Sequence, residues 1–459
     1  MKVTVVGGGG FRTPTLHGCL VRIADEIGID GIVLHDPSRD RLARIEAVIS
    51  GLDRERGGGT VPLRSTTSIE EATEGADAVL VAIRVGGGQA RTIDEEVPLS
   101  LGVLGQETVG PGGIAFALRT VPVMRAIADV VRDRAPGAWF VNFTNPAGVV
   151  TQAVRDVLGD RAVGICDSPS ALCARVAAAI RVPADEIAFD YAGLNHLGWL
   201  LEARTQGADG HDVLPALLSD ERRLARIDEA RLFGADRLRD LGAIPNEYLV
   251  YLDHAGAVTD AFRRARPRGA IVEAQQQRFF REAPPDDPVE ALASWRRARD
   301  ARHGTYLAEG WATAAWEPAP PVRDGEGDDE GPGEEGYAAV AADFLAATGA
   351  EEPRRIVVNA PSGGRLDDVD DDEIAELTCE ISRHGVRPIA GRPLPDEAAA
   401  LVARINEVER LTLRAATEGS RALAREAIAA HPVVPDADVA ARILDGYLHR
   451  HVGLAEALR

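Results

Sequence analysis

Gly7-Gly8-Gly9-Gly10-Phe11-Arg12-Thr13-Pro14 separates a short β-branched run from a helical pattern. Glycines in that position let the backbone turn tightly and approach a pyrophosphate, which the N-terminus of the following helix then holds. The GxGxxG fingerprint is incomplete, because Arg12 stands where its third glycine belongs. Asp36 closes the second apolar run and can accept hydrogen bonds from the adenosine ribose. No basic residue adjoins it in sequence, which favours NAD over NADP. Cys166 ends another apolar run, at the edge where open α/β sheets bind ligands. Taken singly, Cys166 reads as a small core residue and His196 as a satisfied histidine.

These residues need a scaffold, and the first 170 positions describe one. Buried-strand runs at Val3–Gly7, Gly31–Asp36, Asp77–Ile83, Trp139–Thr144 and Ala162–Cys166 are separated by helical patterns such as Ile114–Arg134. Strands spaced by helices imply βαβ units and a doubly wound parallel sheet. Ile187–Tyr191 reads as a further strand leading into Leu194–Leu200, where the alternation ends. Beyond residue 200 the pattern is mostly helical, with a β-like stretch at Arg355–Asn359, so a second, α+β lobe is expected. The division expected is residues 1–170 for a Rossmann-like domain and 171–459 for the second lobe, in which residues 323–336 form a mobile acidic loop. The run Asp367 to Glu373 lacks the central glycine and closing glutamate of an EF-hand and reads as a solvated turn and helix N-terminus.

The 459 residues leave room for two or three domains of about 150 residues each. With 51 basic and 72 acidic side chains the net charge is −21, which argues against nucleic acid or an anionic membrane as partner. No apolar run approaches the roughly 18 residues of a membrane span. The N-terminus enters a strand at once and leaves no room for a signal peptide. Four cysteines make no disulfide framework, and a reduced, cytoplasmic setting follows.

Several blocks in order carry a resemblance. They are Gly7–Pro14, Ile83-Arg84-Val85-Gly86-Gly87 continuing to Arg91 and Asp94-Glu95, and Gly105-Gln106-Glu107-Thr108 with Gly110-Pro111-Gly112-Gly113. Asn142-Phe143-Thr144-Asn145-Pro146, Gly164-Ile165-Cys166-Asp167-Ser168-Pro169 and Gly193-Leu194-Asn195-His196-Leu197-Gly198-Trp199 follow. In these the chain resembles the NAD- and metal-dependent glycosidases of glycoside hydrolase family four, most closely its 6-phospho-β-glucosidases.

The resemblance implies a hydrolase that uses NAD. Oxidation at C3 of the sugar acidifies C2; a base removes the C2 proton, the C1 substituent leaves, water adds and the hydride returns. Cys166 and His196 would hold a divalent ion, usually Mn²⁺, with substrate hydroxyls and water completing its sphere. Gly7, Gly8, Gly9, Gly10, Phe11, Asp36 and Arg84 would bind NAD. Tyr248, in Pro245-Asn246-Glu247-Tyr248-Leu249, would be the base, with Tyr251 its nearest rival. Glu107 would raise its basicity. Arg91, Asn145 and Arg268 would bind the phosphorylated glycoside. Asp167 stands where α-type members carry a proposed general acid, whereas Ile83–Gly87 with Gly105–Thr108 tips the reading towards β-glycosides. A C-terminal lobe like that of lactate and malate dehydrogenases and a homodimer or homotetramer are also implied. A 6-phospho-α-glycosidase and a plain NAD-dependent sugar dehydrogenase are the alternatives.

Overall fold

Five short apolar runs and one mixed one build the first half of a single sheet. They are β1 (Lys2–Val6), β2 (Gly31–His35), β3 (Leu63–Thr66), β4 (Ala78–Val81), β5 (Trp139–Asn142) and β6 (Ala162–Gly164). All pair in parallel in the order β3-β2-β1-β4-β5-β6, the doubly wound order expected of a dinucleotide-binding fold. Val79, Leu80, Phe140 and Val141 are wholly buried because helices cover both faces. The computed structural model of the chain describes residues 1–58, 61–207, 210–264, 268–303 and 336–459, except for the side chains of residues 268, 302 and 303.

The sheet does not stop at β6. It continues through β10 (Arg354–Pro361) and β11 (Ile374–Ser382) to β7 (Ile187–Leu194), β8 (Leu197–Thr205) and β9 (Ile244–Pro245), while β12 (Gly385–Pro388) pairs with β11. These pairings are antiparallel. The β-like stretch at Arg355–Asn359 is therefore a strand, joined to β6 through Asn359 opposite Gly164.

One expectation is corrected. The acidic run from Asp367 is a turn, as expected, but it opens the strand Ile374–Ser382 instead of a helix. Its polar residues Glu376 and Thr378 are buried, which hides the period-2 pattern of a half-exposed strand. The stretch Leu194–Leu200, where the alternation ends, turns back on itself. It is a hairpin in which Asn195-His196 links β7 to β8. The acidic stretch 323–336 lies, except for Gly336, outside the described residues. No described helix is long and apolar enough to cross a membrane.

Candidate active site

The glycine loop sits at the reversal of strand order, between β1 and β4. Gly7 has φ +88°, and a Cβ there would lie 2.3 Å from the Ala82 carbonyl oxygen. A side chain at Gly9 would meet the Asp36 carboxylate at 2.8 Å, so the loop passes directly over the residue expected to hold the ribose. Asp36 accepts a bond from the Ser38 amide (2.9 Å). Arg41 also reaches this loop, but its Nε donates to the Gly9 carbonyl (3.1 Å) and its guanidinium covers Phe280. Phe11 turns its side chain away from the loop. Its ring is buried against Phe279 and Trp295, and its carbonyl accepts from the Trp295 indole (2.9 Å). The bare backbone suits a pyrophosphate.

Cys166 follows β6 by two residues, and the helix Ser168–Ile180 begins just after it, with a proline in its first turn. Burial pushes its thiol well above the ordinary value, and Glu376 and Asp167 add to the effect. An adjacent cation is what would favour the thiolate.

His196 occupies the hairpin turn at φ 62°, a conformation uncommon for a side chain other than glycine. Asn195 anchors that turn. Its Oδ1 accepts from the Ala147 amide (3.1 Å), and its Nδ2 donates to Glu376 (2.9 Å), which also receives Asn359 (3.1 Å) and Tyr191 (3.2 Å). The His196 Nδ1 is 3.1 Å from the Thr108 hydroxyl, whereas its buried Nε2 has no partner among the described residues. Burial lowers its pKa to about 4, so the ring is neutral near pH 7 with one nitrogen unsatisfied. That is the state in which imidazole binds a metal. Among the described residues no three His, Cys, Asp or Glu side chains gather as a metal cage. Cys166 and His196 are the residues here that could hold an ion.

Tyr248 lies flat on His196, with ring centroids 3.8 Å apart. Burial raises its phenol well above 10, and Glu247, Glu107, Cys166 and Asp167 all push the same way. Glu107 is clamped by Arg84 (2.7 Å) and Arg91 (3.0 Å), and Arg91 also pairs with Glu95 (2.8 Å). Burial opposes the Arg91 charge, but Glu107 and Glu95 more than offset it. The helix starting at Arg268 abuts this cluster, because the Gly269 amide donates to Glu95 (2.9 Å). The Glu107 carboxylate, the Tyr248 phenol, the Cys166 thiol and the neutral His196 imidazole therefore gather at the sheet edge.

The sequence profile of family 4 glycosyl hydrolases matches residues 2–182, and that of the family's C-terminal domain matches residues 191–434. The chain belongs to glycosyl hydrolase family 4. It is 29% identical to a Bacillus subtilis protein named "Probable 6-phospho-beta-glucosidase", over 98% of this chain and 96% of that one. It is 28% identical to 6-phospho-alpha-glucosidase 1 of Lacticaseibacillus paracasei, over 97% and 96%. The Thermotoga maritima 6-phospho-beta glucosidase, solved with manganese, NAD+ and glucose-6-phosphate, superposes with a TM-score of 0.80 at 24% identity, covering 100% of both chains.

In this family 4 chain the structure brings Cys166, Asp167, His196, Tyr248, Glu107 and Arg91 to one place. Asn145 is joined to Pro146 by a cis peptide bond, just before the Ala147 amide that Asn195 receives. The Arg268 side chain lies outside the described residues. Tyr251 is buried, its ring 5.8 Å from that of Tyr248. Sequence reasoning missed Tyr337, whose hydroxyl is 4.0 Å from the Cys166 sulfur and whose ring meets Phe143 and the Arg12 guanidinium. It arrives from a helix 171 residues downstream, and nothing local marks it.

Proposed function

We propose that this family 4 enzyme hydrolyses 6-phosphoglucosides, with β-linked substrates preferred, using NAD and a divalent ion such as Mn²⁺. The neutral His196 ring carries the reading: one nitrogen is held, the other is bare, and its face lies on the proposed base. Relatives named for both α- and β-linked 6-phosphoglucosides support the substrate class. Gly7–Gly10, Phe11 (through its backbone), Asp36 and Arg84 would hold NAD, and Cys166 with His196 the ion. When bound, NAD would take a hydride from C3 of the sugar and return it, and the ion would stabilise negative charge on O2 and O3.

The chain's own groups divide the remaining work. Tyr248 takes the C2 proton at its hydroxyl oxygen. Burial, followed by four acidic groups, keeps that phenol protonated, so it serves as a base only where a cation offsets them. Glu107 fixes Arg84 and Arg91 beside it. Asp167, half-buried before the helix Ser168–Ile180, gives its proton to the leaving group. Arg91, Asn145 and Arg268 hold the sugar and its phosphate. Residues 1–170 act as the NAD-binding part and also lend Arg91, Asn145 and Cys166 to the site, while 171–459 supply His196, Tyr248, Arg268 and the subunit contacts. The enzyme works in the cytoplasm as a homodimer or homotetramer; four buried free cysteines fit a reducing compartment.

Turnover of α- and β-linked nitrophenyl glycosides, each with and without a 6-phosphate, tests this directly. Release of nitrophenol from the 6-phospho-β-glucoside without net NADH is the expected result. Stoichiometric NADH accumulation would instead indicate a sugar dehydrogenase.

A further inference from the structure

The loop before the long helix Pro111–Arg134 places a side chain behind the proposed metal histidine. Gln106 is buried, and its Oε1 accepts from the backbone amides of Thr108 and Val109, both at 2.6 Å. Those two amides fix the orientation of the carboxamide, since only its oxygen can face donors. The same oxygen lies 3.1 Å from the Thr108 hydroxyl oxygen. Two oxygens that close need a proton between them, and only the hydroxyl has one. Thr108 therefore donates to Gln106, and its oxygen remains to accept from His196 Nδ1, also 3.1 Å away. An imidazole carrying its proton on Nδ1 presents a lone pair at Nε2, the atom left without a partner.

The loop cannot drift from this arrangement. A Cβ at Gly112 would sit 2.1 Å from the Gln106 carbonyl oxygen, and one at Gly113 would sit 2.3 Å from that of Thr108. The helix start is thus packed directly under the two residues.

We infer that Gln106 and Thr108 are positioning residues that fix the His196 tautomer, making Nε2 the metal-ligating atom. This rests on the reading of His196 as a metal ligand. Outer partners of ligating histidines typically change metal affinity by about 10- to 100-fold when removed.

The test measures Mn²⁺ binding by the electron paramagnetic resonance of free Mn²⁺, on the full-length protein with NAD present. Thr108→Val keeps the shape and removes the hydroxyl, and should weaken Mn²⁺ binding about 10- to 100-fold. Thr108→Ser should restore it, and NAD affinity should stay constant in both. Wild-type affinity in Thr108→Val, alongside lost affinity in His196→Ala, overturns the relay and leaves the ligand assignment standing. Undiminished affinity in His196→Ala overturns the ligand assignment itself. If Thr108→Val does not fold, the ¹⁵N spectrum of wild-type histidines decides: His196 should show a protonated Nδ1 and a bare Nε2, and the reverse tautomer overturns the inference.

Discussion

The imidazole of His196 and the phenol of Tyr248 are parallel to within 3°, with centroids 3.8 Å apart. A proposed ligand and a proposed base are thereby packed as one unit, so any ion on His196 also lies within reach of the Tyr248 field. Tyr248→Phe keeps the stack and removes only the proton acceptor. General-base catalysis contributes about 10²–10⁴-fold, and a loss of that size in kcat is expected. In D₂O the wild type should place deuterium at C2 of the released sugar. Product free of solvent deuterium would exclude proton removal at C2. Tyr251→Phe should be much milder.

Cys166→Ser and His196→Ala should each lose turnover and bound Mn²⁺ while NAD binding survives. The dinucleotide loop is built from β1, the other two from β6 and the β7–β8 turn, so the functions are separable. Oxidants should inactivate for the same reason, since a ligating thiolate must stay reduced. Metal content and turnover that survive both substitutions would sink the assignment.

Glu107→Gln leaves Arg84 and Arg91 facing a neutral amide in place of a shared carboxylate. Charge-assisted hydrogen bonds are worth roughly 1.5–3 kcal/mol, so kcat should fall by about 10- to 100-fold. Steady-state kinetics on the phosphorylated substrate would show it, and an unchanged kcat would remove Glu107 from the site.

Much of this was readable in the chain, for a definite reason. β1, β2, β4 and β5 are short apolar runs because both their faces are covered, and Cys166 could be placed at the sheet edge from its run alone. His196 was found by its motif, but not the hairpin turn that presents it, since the turn residue at positive φ is His196 itself where a glycine usually marks such a turn. Glu376 was unreadable. It is a buried carboxylate inside a strand, held by Tyr191 and Asn195 from the β7 hairpin and by Asn359 from β10, and no local window contains those partners.

Glu409 gives a prediction about pH. It lines a small cavity of about 60 Å³ together with Asn195, His196, Thr412 and His431. Burial, followed by Glu373 and Glu376, raises its pKa from 4.5 to about 8. Between those values the folded chain keeps a proton that the unfolded chain releases, so stability falls as pH rises through the window. Glu409→Gln carries no such proton. Its melting temperature relative to wild type should climb steadily from pH 5 to pH 8. A pH-independent difference between the two proteins would contradict the raised pKa.

Arg268 is the proposed phosphate ligand, and its helix begins against the Arg91–Glu95 pair. A net charge of −21 repels a sugar phosphate at long range, so capture needs a local cation with a bidentate fork. Arg268→Ala should lower kcat/KM for the phosphorylated glycoside by about 10- to 100-fold, the effect of one charge-assisted bond. The nonphosphorylated analogue should change far less. Equal losses on both substrates would remove the phosphate from Arg268.

The pairing of β6 with β10 has a consequence for how the molecule is made. Asn359 meets Gly164 across 195 positions of chain, and β10 is the bridge through which β11, β7, β8 and β9 join the parallel strands. On the ribosome the parallel strands can assemble early, but their last edge stays open until β10 has emerged. The hairpin carrying His196 is synthesised long before its place in the sheet exists. An exposed strand edge is a template for wrong pairing, and contacts this distant in sequence form slowly. A chain ending between residues 170 and 354 would therefore expose the β6 edge beside Cys166, and aggregation of such truncated chains is the expected mark of that wait.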